Sequence, residues 1–402
     1  MLSVYFSCTI LCALVYWHHY SNKNQISIPL LLSFALIFRI IGFFTFPVLE
    51  DDFYRYLWDG HQTITNNNPY LLAPAHFFDS ETISDQFEEI LNGINYPFVA
   101  TVYGPTSQWF FAAAAMISPG EIWPLKLILL SADIAIIVIL LKLTKPNAVL
   151  LYAWCPLILK EFVVTTHPDL LGAFFLIWAM HSYLKQRFIM VGILMALACG
   201  IKIFPVILLP FLLKFFWRGW LSFVITVIII AIPFGLQTAW FPEGLQVMSG
   251  DWFFNAPLYV AFYEFLPASY SIFIFKLIIV GVFGLLCATF LLSDLNSYYF
   301  KQQPLQLPRG DILFAAMLIC LPALNPWYAI WLLVFLSLKP NIFAWLATMM
   351  LLLSYSSGIN LSNNNLGSYQ IPNWVLAIEF GSMLLLLTVC FLYKKYSSTR
   401  QI

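Results

Sequence analysis

Charge is scarce in this sequence: only 9% of its 402 residues are Asp, Glu, Lys or Arg, where a soluble domain carries about a quarter. The 19 basic and 19 acidic residues cancel, which leaves no basic excess to draw nucleic acid and excludes that class of partner. The seven cysteines (Cys8, Cys12, Cys155, Cys199, Cys287, Cys320 and Cys390) stand mostly singly in apolar runs, without metal-centre spacing. The sequence casts them as small buried residues. No convincing internal repeat is visible, and no stretch is long and polar enough to form a second soluble domain.

Apolar residues fill the space that charge leaves. They make up 61% of the chain, and the mean hydropathy is +0.84. Apolar runs fall near 1–17, 27–47, 125–141, 148–166, 169–184, 188–213, 219–235, 269–293, 311–337, 341–355 and 372–393. A bilayer-spanning helix needs about 20 such residues. The expectation is therefore an all-α polytopic transmembrane bundle of about 11–13 membrane segments, one integral membrane domain over 1–402. The first run lacks a basic start and a small-residue cleavage site, and reads as a first membrane helix rather than a signal peptide. Two long runs are interrupted, at Lys202-Ile203-Phe204-Pro205 and at Asn325-Pro326, and each reads as two short helices meeting near an interface. Aromatic residues reach 18%, in keeping with interfacial belts and with sugar-stacking surfaces.

Basic residues favour cytoplasmic loops. Lys142, Lys145, Lys185, Arg187, Lys214, Arg218, Lys301, Arg309, Lys339, Lys394, Lys395 and Arg400 all follow apolar runs. All of them lie inside together only if the segment from Pro105 to Ile117 lies along the outer surface or re-enters. The polar segment 49–103 is then the first extracytoplasmic loop. Lys160 to Asp169, the Lys202 bend, Ser249 to Asn255, and Asn325 to Tyr328 share its side of the membrane.

The densest chemistry is Glu50-Asp51-Asp52, directly after an apolar run, followed at helical spacing by Arg55, Trp58 and Asp59. Clustered carboxylates repel, so one can hold a raised pKa as a general base, or the set can bind a divalent cation. Lys160, Glu161, His167 and Asp169 crowd ten residues beside Thr165 and Thr166. Ionisable groups at membrane depth are costly and mark function; this set suits a pyrophosphate or phosphate leaving group. Lys202 interrupts an apolar run. Asp251-Trp252 and Asn325-Pro326-Trp327-Tyr328 pair polar groups with aromatics, as interface anchors or sugar sites do.

Five ordered pieces resemble a known family: Asp51-Asp52-x-Tyr54-Arg55-Tyr56-Leu57-Trp58-Asp59-Gly60 with Asn68-Pro69-Tyr70; Val102-Tyr103-Gly104-Pro105; Pro156-Leu157-x-x-Lys160-Glu161-Phe162 with His167-x-Asp169; Lys202-x-Phe204-Pro205; and Asn325-Pro326-Trp327-Tyr328. Together they resemble the GT-C superfamily of polytopic glycosyltransferases, and within it bacterial polyprenyl-phosphate-mannose-dependent mannosyltransferases. His61 stands where a basic residue is common in those relatives, Gly104 replaces a proline, and 341–402 carries none of the motifs.

The resemblance implies a GT-C-like fold with a helical first outer loop. It implies hexose transfer, with mannose the expected sugar, from a polyprenyl-phosphate donor to a glycan or glycolipid acceptor. The setting is the outer face of a bacterial plasma (inner) membrane. Inversion would use Asp51 or Asp52 as base. Lys160, Lys202 and His167 would meet the lipid phosphate, and Arg55 would orient the carboxylates or bind phosphate. Trp58, Trp252 and Tyr328 would stack on sugar, with Asp59, Tyr103, Glu161, Asp169, Asp251, Asn325 and Trp327 completing the substrate site. A divalent cation is allowed but not required. The rival is a multi-pass transporter of a small solute or lipid-linked sugar, which should show repeats and midplane polar groups.

Overall fold

The computed structural model describes residues 2–65, 68–78, 80, 83–250, 253–267, 270–357 and 371–399. It is all-α, and among the described residues the only β feature is an isolated bridge between Phe254 and Ala323. The helices of the N-terminal half are α1 (Leu2–Ser21), α2 (Ile28–Phe43), α3 (Asp52–Ile64), α4 (Asp85–Asn92), α5 (Pro105–Ile117), α6 (Trp123–Leu143), α7 (Pro146–Ala153), α8 (Pro156–Ile158), α9 (Asp169–Leu184) and α10 (Phe188–Ile201). There follow α11 (Leu209–Leu213), α12 (Trp217–Ala231), α13 (Leu236–Trp240), α14 (Glu243–Gly250), α15 (Pro257–Phe265), α16 (Ile272–Leu295), α17 (Gly310–Cys320), α18 (Ile330–Leu336), α19 (Ile342–Met350) and α20 (Asn373–Thr399).

The apolar runs become helices, but few of these are full-length spans. Among the described residues, three helices could cross a membrane by length and composition: Trp123–Leu143, Trp217–Phe234 and Ile272–Phe300. A fourth arises if Pro146–Ala153 and Pro156–Val164, bent by 41°, count as one. Much of the remaining apolar sequence folds as helices of 10–17 residues. The expected breaks account for several of them. The run 188–213 divides at Lys202 into Phe188–Ile201 and Phe204–Leu213, and 311–337 divides at Asn325 into Gly310–Cys320 and Pro326–Leu336. Proline supplies one breakpoint mechanism, since it has no backbone N–H and is tolerated only in a helix's first turn.

Two buried polar clamps fix the end of α2, from which the acidic segment departs. Arg39 pairs with Asp133 of α6 at 2.7 Å, both fully buried. Tyr152 Oη donates to the same carboxylate at 2.9 Å, and Arg39 also donates to the Ala153 carbonyl at 2.7 Å. Such a pair tolerates burial only because nearly every donor is used. Lys126 caps α2: its ammonium donates to the carbonyls of Gly42 (3.3 Å), Phe43 (3.0 Å) and Thr45. These are orphan acceptors at a helix end, where a cation also favours the dipole.

Beyond that end, α3 lies on α5. Tyr56 stacks on Phe111, with centroids 4.9 Å apart, and Gly60 sits so close to the Phe111 carbonyl that a Cβ there would collide with it. The 13 residues of α5 extend about 20 Å, short of a bilayer's hydrocarbon core of about 30 Å.

One expectation needs correcting. Cys8 is exposed and Cys287 and Cys320 are half-buried, so only Cys12, Cys155 and Cys199 are the buried residues the sequence suggested; the side chain of Cys390 lies outside the described residues. Lys214 pairs with Asp294 at 2.8 Å under Tyr298. Arg309 likewise pairs with Asp311 at 2.7 Å.

Candidate active site

Leu49 adopts a left-handed conformation (φ 69°) that swings the chain from the α2 exit into three consecutive carboxylates. Asp51 immediately precedes α3, and Asp52 begins it. Ligand oxygens of Glu50, Asp51 and Asp52 lie within 4.8 Å of one another. Burial grades along the trio: Glu50 is 4% exposed and Asp51 9%, while the side chain of Asp52 is 26% exposed. Burial pushes Glu50 well above the usual carboxylate range, with the Asp52 charge adding to it. Burial, then the Asp52 charge, raises Asp51 to about 7, against the pull of a hydrogen bond from Asn95. Asp52 lines an open pocket with Arg55, Asn95, Tyr96, Val99 and Tyr103, and the Tyr103 hydroxyl donates to its Oδ2 at 3.1 Å. As a set of hard oxygens the trio suits Mg²⁺, Mn²⁺ or Ca²⁺ in type, but Asp51 must lose its proton first, which favours such binding above about pH 7.

Opposite this cluster the chain widens into a π-helical turn, Leu159–Val164, then passes through Thr166 at φ 74°. A β-branched residue rarely adopts that conformation, and here it delivers His167 to the acids. His167 Nδ1 lies 3.1 Å from the Tyr56 hydroxyl and 4.0 Å from Asp52 Oδ2. Nε2 lies 3.4 Å from Glu161 Oε2. The imidazole stacks on Trp327, with centroids 4.0 Å apart and rings tilted 11°. Glu161 is fully buried and meets Lys160 at 3.1 Å and the Tyr355 hydroxyl at 3.0 and 3.1 Å. The Lys160 ammonium stands 3.7 Å over the Tyr355 ring.

A second lysine is built the same way. Lys202, extended just past α10, pairs with Asp169 Oδ1 at 3.0 Å and stands 3.5 Å over Tyr328. Trp331 Nε1 donates to the same Asp169 oxygen at 3.0 Å. Gly104 and Gly200 let the Tyr103 segment and the end of α10 meet backbone to backbone: a Cβ on Gly104 would run into the Gly200 carbonyl.

The structure thus gathers Asp51, Asp52, Arg55, Tyr103, Lys160, Glu161, His167, Asp169, Lys202, Trp327 and Tyr328 from distant stretches of sequence. Asn325 is buried and opens the turn that carries Trp327 and Tyr328. Asp251 and Trp252 lie outside the described residues. Two expectations change. Trp58 is 2% exposed and enclosed by Phe77 and His61, so its ring has no face to offer a sugar. Asp59 is tied to Arg55 at 3.2 Å, to Gln108 at 2.9 Å and to Thr101; it staples the loop to α5. Sequence reasoning passed over Tyr56, Trp331 and Tyr355 as contributors. Tyr56 stood inside a quoted motif, whereas Tyr355 ends a plain apolar run with no local signal.

A family model described as alpha-(1->6)-mannopyranosyltransferase, N-terminal domain, matches residues 2–218. The chain belongs to this mannosyltransferase family. It is a glycosyltransferase, with a sugar donor and a glycan acceptor as substrates, and its apolar helices mark it as a membrane protein. The match spans the acidic trio, the Lys160–Asp169 stretch and Lys202 of this mannosyltransferase. It stops before Trp327, Tyr328, Trp331 and Tyr355, which the fold brings back onto those residues. No curated protein and no solved structure matches the chain.

Proposed function

We propose that the protein transfers mannose from a polyprenyl-phosphate donor to a glycan or glycolipid acceptor at the extracytoplasmic face of a bacterial inner membrane, with Asp52 as general base. The observation that carries this reading is the exposure gradient in the trio. Asp52 alone opens into the pocket, oriented by the Tyr103 hydroxyl, while Asp51 and Glu50 are buried behind it. A base must first be within reach of the proton it takes.

Asp52 removes the acceptor hydroxyl proton as that oxygen bonds to the anomeric carbon. The bond from that carbon to the phosphate oxygen breaks on the opposite face, and its electron pair leaves with the lipid phosphate. An α product formed in one inversion requires a β-linked donor. Lys160 and Lys202 offset the negative charge that grows on the phosphate, in a low-dielectric setting where such contacts are strong, and His167 stands beside the base, 4.0 Å from Asp52. Tyr328, beneath Lys202, and Trp327 form an aromatic floor for the sugar.

The test uses protein in nanodiscs with radiolabelled polyprenyl-phosphate mannose and membrane glycolipid acceptors. Asp52→Asn should lower kcat by about 10²–10⁴-fold, while Asp51→Asn retains most activity. Loss confined to Asp51→Asn would reassign the base, and no transfer by folded wild type would overturn the reading.

A further inference from the structure

Tyr355 sits in the Leu351–Ser357 turn, well outside the matched family region. It lies 194 positions in sequence from the carboxylate it contacts. Its hydroxyl reaches both oxygens of Glu161, at 3.0 and 3.1 Å. It also meets the Glu50 carboxyl, so one phenol joins the acidic trio to the π-helical turn. A hydroxyl has a single proton to donate. Its two distances to Glu161 direct that proton to the Glu161 carboxylate.

That order continues into the site. With the Tyr355 proton and the Lys160 ammonium on Glu161, the carboxylate is a fixed acceptor facing His167 Nε2 at 3.4 Å. A carboxylate charge at that distance favours the tautomer that carries its proton on Nε2, the ring nitrogen facing it. Nδ1 then carries a lone pair, directed at the Tyr56 hydroxyl 3.1 Å away and adjacent to Asp52.

We propose that Tyr355 is a positioning residue for this enzyme, fixing through Glu161 the orientation and tautomer of His167 beside Asp52. The inference rests on the reading of Asp52 as base. The C-terminal part of the chain therefore completes a catalytic arrangement whose acids lie within the family-matched region.

Tyr355→Phe isolates the point, because it keeps the ring under Lys160 and removes only the hydroxyl. The first readout needs no substrate: nitrogen NMR of ¹⁵N-histidine-labelled protein, with His167→Asn assigning the signal. Wild type should show His167 protonated on Nε2 alone, and Tyr355→Phe should show a mixture of tautomers. An unchanged His167 signal would overturn the proposal whether or not the protein transfers mannose. The second readout is transfer. Tyr355→Phe should lower kcat about tenfold, with donor KM within about twofold, as for loss of a group that aids proton movement. The double variant Tyr355→Phe/His167→Asn should be no slower than His167→Asn, since the two act as one unit. Multiplying losses, or a change in KM alone, would refute it. If Tyr355→Phe does not yield folded protein, the isosteric Glu161→Gln reads the same link by the same two measurements. Wild type without transfer but with the expected tautomer would count against the function and leave the positioning role standing.

Discussion

Replacing Asp51 by Asn should make the protein more stable in neutral and alkaline solution while changing little in acid. Asp51 is 9% exposed and shares its surroundings with Asp52, and these raise its pKa from 3.8 to about 7. A displacement of roughly 3 pH units at about 1.36 kcal/mol each amounts to about 4 kcal/mol. The direction follows from proton counting. Below about pH 4 the carboxyl is protonated whether the chain is folded or not, and nothing is lost. Between about pH 4 and 7 the unfolded chain has released this proton and the folded one keeps it, so stability falls as pH rises. Above about pH 7 both forms are ionised and the whole cost of burying the charge is present.

An Asn side chain has no such proton. The gap in melting temperature between Asp51→Asn and wild type, followed by tryptophan fluorescence in detergent, should be near zero at pH 4, widen through pH 5–7 and level off above it. Asp52→Asn provides a second check. Removing the neighbouring charge takes away the second largest cause of the shift, so the pH at which the wild-type background loses stability should move toward acid. A gap that is constant with pH, or that opens in acid, would refute the burial of Asp51.

Arg39→Met strands Asp133 in the interior and should cost about 3–5 kcal/mol, whereas Arg39→Met/Asp133→Leu should recover most of it; detergent melts of the single and double variants decide this. Trp331→Phe removes the donor to Asp169 and part of a fully buried indole, and should cost about 2 kcal/mol in a detergent melt. It should also raise donor KM several-fold in steady-state assays, because Asp169 then orients Lys202 less well. Thr166→Gly relieves a positive φ, so the stability read from a detergent melt should hold or rise, by about 1 kcal/mol at most. Its kcat should fall as His167 loses its fixed approach; a drop in stability would show that φ 74° is not strained.

Hydropathy made the helices readable, since an apolar run has few alternatives in a chain this poor in charge. The run at 169–184 coincides with α9 (Asp169–Leu184), and the polar breaks at Lys202 and Asn325 fall where helices end. The face of α3 was harder to read. Tyr56 and Trp58 are two positions apart and equally aromatic, yet one touches His167 and the other is enclosed by Phe77 and His61. The helix has clearly unlike sides, but that contrast separates apolar from polar positions and does not tell a ring that meets the site from one that is packed away. Asp52 and Asp59 likewise read alike as acids near an interface. Packing separates them: Asp59 meets Thr101 and Gln108, contributed by segments about 40 residues further along the chain, whereas Asp52 begins the helix at the pocket.

The two lysines show what sequence can locate and only folding can complete. A buried ammonium without a counter-charge is expensive, and each has one nearby, Glu161 for Lys160 and Asp169 for Lys202. Each carboxylate is held in turn by a donor from the C-terminal half, Tyr355 or Trp331. Each ammonium also covers a tyrosine ring, Tyr355 or Tyr328, a contact that favours a cation without using up its donors. The charges are balanced, yet each lysine can still turn an N–H toward an incoming phosphate. A site with bare lysines would bind phosphate strongly before and after the reaction alike. On the proposed reading, lysines already paired with carboxylates gain most when negative charge rises on the leaving oxygen, and that difference between ground and transition state would accelerate transfer.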